Sequence, residues 1–194
     1  MRKPNNYENT TVPGSFKRLP AGGYVCDIVK MEETKSKAGK PMLKVALEIS
    51  EGEYAGFFGN LFRERRLSSN KPQEVKYPNE GIAYILTEDD EGNCNRNFKG
   101  FCTALEESGS AVWSDDDKLN NLTGLTVGVI FRREEDEYNG KTFWKTRPIS
   151  FRSVQKIQEG DFTVPDDKYL DINYTGTGFD QTDTFVAAQD DIPF

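Results

Sequence analysis

Histidine is absent from this 194-residue chain. Its absence excludes Ser-His-Asp and Cys-His nucleophile systems, histidine-ligated zinc and any imidazole acid–base step. Cysteine is scarce. Cys26, Cys94 and Cys102 are odd in number and form no C-x-x-C pair, which excludes a disulfide scaffold and a four-cysteine zinc site. Each reads as a small packing residue, and reduced thiols suit a cytoplasmic protein. Long apolar runs are missing too. The longest, around Leu125 to Phe131, falls far short of the roughly 20 residues that cross a bilayer. Met1-Arg2-Lys3-Pro4-Asn5-Asn6 leads into Tyr7-Glu8-Asn9-Thr10-Thr11 rather than an apolar segment, so it does not read as a signal peptide.

Motifs of catalysis are lacking as well. There is no G-x-x-x-x-G-K-[ST] and no G-x-G-x-x-G after a strand pattern. Asp89-Asp90-Glu91-Gly92-Asn93 lacks the sixth-position glycine and the closing glutamate of a calcium loop. Asp115-Asp116-Asp117 reads as a solvated loop or helix start, and Glu74-Val75-Lys76 has no identifiable acidic partner for a metal nuclease. The chain therefore reads as non-catalytic, without metal or cofactor.

What is present is aromatic residues and an uneven charge. Rings make up 12% of a chain whose mean hydropathy is only −0.70, so they are either buried or used. The net charge of −7 resides wholly in residues 161–194, which carry eight Asp and one Lys; residues 1–160 balance 24 cations against 24 anions. A neutral body with an acidic tail is a different object from an acidic protein. Pro165 and the spacer Thr175-Gly176-Thr177-Gly178, among sparse apolar residues, predict a disordered tail over 160–194. Residues 1–15 read as an N-terminal arm and 16–159 as the folded domain.

Within the domain, Gly22-Gly23 opens a strand from Tyr24 to about Glu33. Leu43, Val45, Leu47 and Ile49 alternate along a second, Met42 to Ser50. Tyr54-Ala55-Gly56-Phe57-Phe58 is expected as a third. The polar, irregular stretch around 63–97 reads as an insertion, with a short apolar strand at Gly81 to Leu86. Asn97 is expected to cap a helix with Phe98, Phe101, Cys102 and Leu105 at i, i+3, i+4 and i+7, ended by Gly109. Leu125, Val127, Val129 and Phe131 alternate toward Asn139-Gly140, a strong hairpin signal, and Thr142 to Val154 returns. With Gly81 to Leu86 set aside, three strands, a helix and a hairpin predict an all-β, five-stranded OB-fold barrel with one helix between strands 3 and 4.

Cations interleave with rings at three places. On the last strand Lys141, Phe143, Lys145 and Arg147 share one face, with Trp144 on the other. The turn after the first strand carries Lys35, Lys37 and Lys40. Phe57 and Phe58 are followed by Phe62, Arg63, Arg65 and Arg66. Binding a single strand of nucleic acid needs cations for phosphates and flat faces for unstacked bases. Singly, Phe57, Phe143 or Trp144 fits a core equally well; the set favours nucleic-acid contact.

The chain ends Asp190-Asp191-Ile192-Pro193-Phe194. An apolar tip behind an acidic pair makes sense where a partner offers a pocket for Phe194 and a basic rim for Asp190 and Asp191. These five residues resemble the C-terminal tip of bacterial single-stranded DNA-binding proteins. Residues 16–60, with Leu19-Pro20-Ala21-Gly22-Gly23-Tyr24, and Phe98-Lys99-Gly100-Phe101 to Glu107 resemble single-stranded DNA-binding proteins from replication modules of bacteriophages that infect Gram-positive bacteria. The long insertion departs from the cellular proteins and leaves their tetramer open for this chain, a homo-oligomer of some kind included. The resemblance implies an OB-fold binder of single-stranded DNA in the cytoplasm of a bacterial host. It would serve phage DNA replication and recombination, and recruit partner proteins through its tip. The alternatives are an OB-like adaptor that binds protein only and a DNA mimic suited to the pI of 4.8. The neutral body ranks the mimic lower.

Overall fold

The computed structural model describes residues 2–4, 7 and 18–170 of the chain. β1 (Gly22–Lys35) and β2 (Pro41–Ile49) pair antiparallel, with Lys35 opposite Pro41. Leu43, Val45, Leu47 and Ile49 are all buried, as a period of two on a one-sided strand requires. Between Ile28 and Lys30 the register slips. Such a bulge leaves one residue unpaired and bends its strand; that residue is Val29, which is exposed.

The expected third strand at Tyr54–Phe58 does not form. Turns after Glu51 end at Gly56, whose φ of 75° redirects the chain into α1 (Phe57–Ser68). The signal for a helix lies in Phe57 with Leu61 and Phe58 with Phe62, spaced i, i+4. No local side chain caps α1. Glu48 on β2 does so instead: its carboxylate accepts the Phe58 N–H at 3.0 Å and also the Gly59 N–H, placing a negative charge where the helix dipole favours one. The Tyr77 hydroxyl donates to the Leu47 carbonyl at 2.9 Å and braces this corner.

The third strand is β3 (Ile82–Leu86), which pairs with β2. The segment read as an insertion around 63–97 thus holds the second half of α1, a 3-10 turn at Asn79–Gly81 and an integral strand. α2 (Arg96–Glu107) follows, capped by Asn95 rather than Asn97: the Asn95 side chain accepts the Asn97 N–H at 2.9 Å. Phe101, Cys102 and Leu105 are buried as their spacing predicts. β4 (Thr126–Tyr138) and β5 (Lys141–Arg152) make the hairpin, and a short unanticipated α3 (Val154–Glu159) follows.

The five strands form one antiparallel sheet in the order β3-β2-β1-β4-β5. β3 and β5 are its edges. They lie against one another without a ladder of hydrogen bonds among the described residues, so the sheet is open. The chain is mostly β, with three α-helices among the described residues. Phe58, Phe101 and Phe131 centre the main core, with the Phe58 and Phe131 rings stacked at 6.0 Å. Cys26 and Cys102 are buried within it, whereas Cys94 is exposed and is not a packing residue.

A smaller cluster of Val25, Ile130 and Ile157 seats α3 on the other side of β4. Gly128 lies at that crossing. A Cβ there would sit 2.4 Å from Ile157 Cγ1 and 2.8 Å from the Arg152 and Ser153 carbonyl oxygens. Gly128→Ala is therefore expected to cost about 1–3 kcal/mol of stability, read as a lower urea midpoint with an unchanged slope.

Residues 160–170, expected as the start of a disordered tail, dock on the sheet. β1 begins opposite Phe131, so the edge of β4 beyond that residue lacks a β1 partner. Lys168 takes the edge in a parallel bridge to Glu134. Its N–H donates to the Arg133 carbonyl at 2.9 Å, and the Glu135 N–H donates to its carbonyl at 2.8 Å. An exposed edge invites such pairing. Residues 171–194, with the tip Asp190 to Phe194, and most of the expected arm 1–15 lie outside the described residues.

Candidate nucleic-acid interface

Asn139 and Gly140 adopt φ of 51° and 73° at the centre of the hairpin turn. Positive φ at both positions is the two-residue turn whose twist suits antiparallel strands. It sets a register in which Arg132 faces Arg147, Glu134 faces Lys145 and Asp136 faces Phe143. Phe143, Lys145 and Arg147 do share one face, but the acids of β4 share it with them. Lys145 contacts the Asp136 carboxylate, and its ammonium lies 5.6 Å from the centroid of Phe143. Arg147 sits 3.6 Å from Asp136 and 3.8 Å from Glu134. Arg132 pairs with Glu134 at 2.8 Å.

Three cations thus alternate with two carboxylates. The Lys145 and Arg147 side chains are only 16% and 20% exposed, and charges so far removed from water persist when paired. Burial first, and then the Arg147 guanidinium, lower the Lys145 ammonium to about 8, against the pull of Glu80 and Glu134. The expected row of free cations is therefore a nearly balanced strip.

Trp144 faces the other way, as its position on the strand predicts, and it too is occupied. The Arg133 guanidinium lies 4.6 Å from the indole centroid, and the Tyr169 ring stands edge-on at 5.2 Å. Asp167 pairs with Arg133 at 2.8 Å. Lys141 remains exposed beside the turn.

The residues expected on the third strand divide. Phe58 is fully buried and is not available for base stacking. Phe57 is partly buried, edge-on to Tyr54 and Phe58. The arginines project from α1 instead: Arg63 donates to Asn60 at 2.9 Å, Arg66 lies 5.6 Å from the Phe62 centroid, and Arg65 is 4.0 Å from Glu80. Glu80 also acts on Lys145, so Arg65 and the hairpin strip belong to one charged surface.

The turn bearing Lys35, Lys37 and Lys40 stands elsewhere, at the opposite end of β1 from its pairing with β4. Ser36 closes it by accepting the Lys40 N–H at 3.1 Å, and the Lys40 ammonium contacts Asp90.

Two features escape a reading of the sequence. Arg96, Lys99, Arg152 and Lys156 line a groove of about 600 Å³ between α2, the end of β5 and α3, where Glu107 pairs with Lys156 at 3.0 Å. They form two local pairs, Arg96 with Lys99 and Arg152 with Lys156, that lie far apart in the chain, so no local pattern joins them. Trp113 is the other: it stands exposed in a loop without period, and its only signal is a ring beside Ser114 and three aspartates. Among the described residues no group of three or more Cys, Asp and Glu could hold a metal ion, and no helix is long and apolar enough to cross a membrane.

No curated protein matches the chain. A family model described as "protein of unknown function" matches residues 5–161, most of the arm, the whole sheet and the three described helices included, and the chain belongs to that family, DUF669.

Proposed function

We propose that this protein binds single-stranded DNA without catalysis and with little sequence preference. It would protect exposed strands in phage DNA replication and recombination inside a bacterial host, and recruit partner proteins through Asp190 to Phe194. The observation that carries the reading is the coupling of cations to rings on adjoining elements: Lys145 with Phe143, Arg133 with Trp144 and Arg66 with Phe62. Single-strand binding draws on such pairs, cations for phosphates and faces for bases. The strand order supports an OB-type barrel as the scaffold, because β1 pairs with both β2 and β4, the edges β3 and β5 lie together, and α2 sits between β3 and β4.

Fluorescence anisotropy of labelled (dT)20 and mixed-sequence oligonucleotides, single- and double-stranded, tests this over a salt series. Binding confined to single strands is expected, with log K falling by roughly 0.7 per phosphate contact for each unit of log salt. The competing reading is an OB-like adaptor that binds protein only. It draws on Glu134 and Asp136, which already occupy the hairpin cations. An absence of oligonucleotide binding at low salt would decide for the adaptor.

A further inference from the structure

Trp113 is 41% exposed, and unlike Trp144 it borders open space. A turn holds it in place: Trp113 bridges to Leu119, the Ser114 N–H donates to the Lys118 carbonyl at 2.9 Å, and the Ser114 hydroxyl accepts the Lys118 N–H at 3.1 Å. Phe98, in the first turn of α2, braces the indole edge-on, with centroids 6.1 Å apart and planes at 88°. Between these rings and the end of β1 runs a groove of about 450 Å³. Met42 and Leu119 contribute to its apolar lining, Thr34 supplies a hydroxyl, and Glu33 and Lys35 line it with opposite charges where the basic turn begins.

We propose that this groove is a nucleobase subsite, in which one unstacked base lies on Trp113 while its phosphate meets Lys35. The proposal rests on the single-stranded DNA reading and extends it to the far end of β1 from the hairpin. Charge and shape together favour this occupant. A base has two flat apolar faces that suit an indole, and it arrives attached to a phosphate that suits the cation at the rim. A plain apolar peptide would use the rings and bring no anion for Lys35, whereas a free phosphate would leave the rings unused.

The test uses the full chain with Trp144→Phe, which leaves Trp113 as the reporter, and titrates (dT)20 while reading indole emission. Saturable quenching is expected, and Trp113→Ala should weaken (dT)20 binding by about fivefold to a hundredfold, the range set by a stacked base. Trp113→Phe keeps a ring and should recover most of the affinity. Lys35→Ala should lower the salt slope by roughly 0.7. Wild-type affinity in Trp113→Ala, with unquenched emission in the Trp144→Phe protein, would remove the subsite and leave single-strand binding intact. A wild-type protein that binds no (dT)20 would remove both. Quenching of Trp113 by a peptide of residues 185–194 but not by (dT)20 would assign the groove to a protein segment and overturn the proposal.

Discussion

Glu134→Gln with Asp136→Asn should tighten single-stranded DNA binding by about tenfold at low salt and steepen the salt slope by roughly 1.4, as two carboxylates cease to neutralise the cations beside them. The two amides keep the shape of the carboxylates, so the side chains of Arg132, Lys145 and Arg147 retain neighbours but lose the charges that hold them. An unchanged affinity, or a weaker one with the fold intact by circular dichroism, would show that this face does not meet the phosphates. The gain depends on pH. Burial and Arg147 place Lys145 near 8, below the ordinary lysine range. Its charge is therefore present below that pH and is lost as pH rises through it. In the variant the Lys145 share of the affinity should fade over a lower interval, because the Glu134 carboxylate that raises Lys145 is gone, and Lys145→Arg should abolish that dependence because a guanidinium stays protonated.

The largest loss of stability is expected at Glu48. Glu48→Ala strips the N-terminus of α1 of the carboxylate that receives the Phe58 and Gly59 N–H groups, and Tyr77 loses a second acceptor at 3.4 Å. A donor left without a partner costs about 1–3 kcal/mol, so we expect a fall of about 3 kcal/mol in urea denaturation followed by circular dichroism. Glu48→Gln keeps one acceptor oxygen and should lose about half as much. A midpoint that does not move would mean that water meets these groups as well as Glu48 does.

The parts of the fold that can be read along the chain are those whose burial is periodic over a few residues. β2 alternates because one of its faces meets the core, α2 repeats at 3.6 for the same reason, and Asn139-Gly140 marks its turn because both residues tolerate positive φ. α1 is the counterexample. Phe57 and Phe58 read as a strand because the helix has no cap of its own, and the carboxylate that closes it comes from β2, ten residues earlier in the chain at a place where no motif points. β3 is legible as a short apolar strand but not as a member of the sheet: four of its five residues are buried, on both faces, and show no alternation.

The candidate site divides along the same line. Which residues of β5 share a face follows from the period of a strand, so Lys145 and Arg147 with Phe143 on one side and Trp144 on the other were legible from spacing. Whether those cations are free is a matter of register, and register is set across the hairpin: Glu134 and Asp136 arrive opposite them only when β4 folds back. The covering of Trp144 by Arg133 and Tyr169 joins residues 11 and 25 positions from it through an edge that β1 leaves open. Composition, the charge split and local periodicity belong to the chain as written, since they need only neighbours in sequence. The occupation of a cation, the cap of a helix and the slot beside Trp113 belong to the folded molecule, because each depends on groups that only long-range packing brings together.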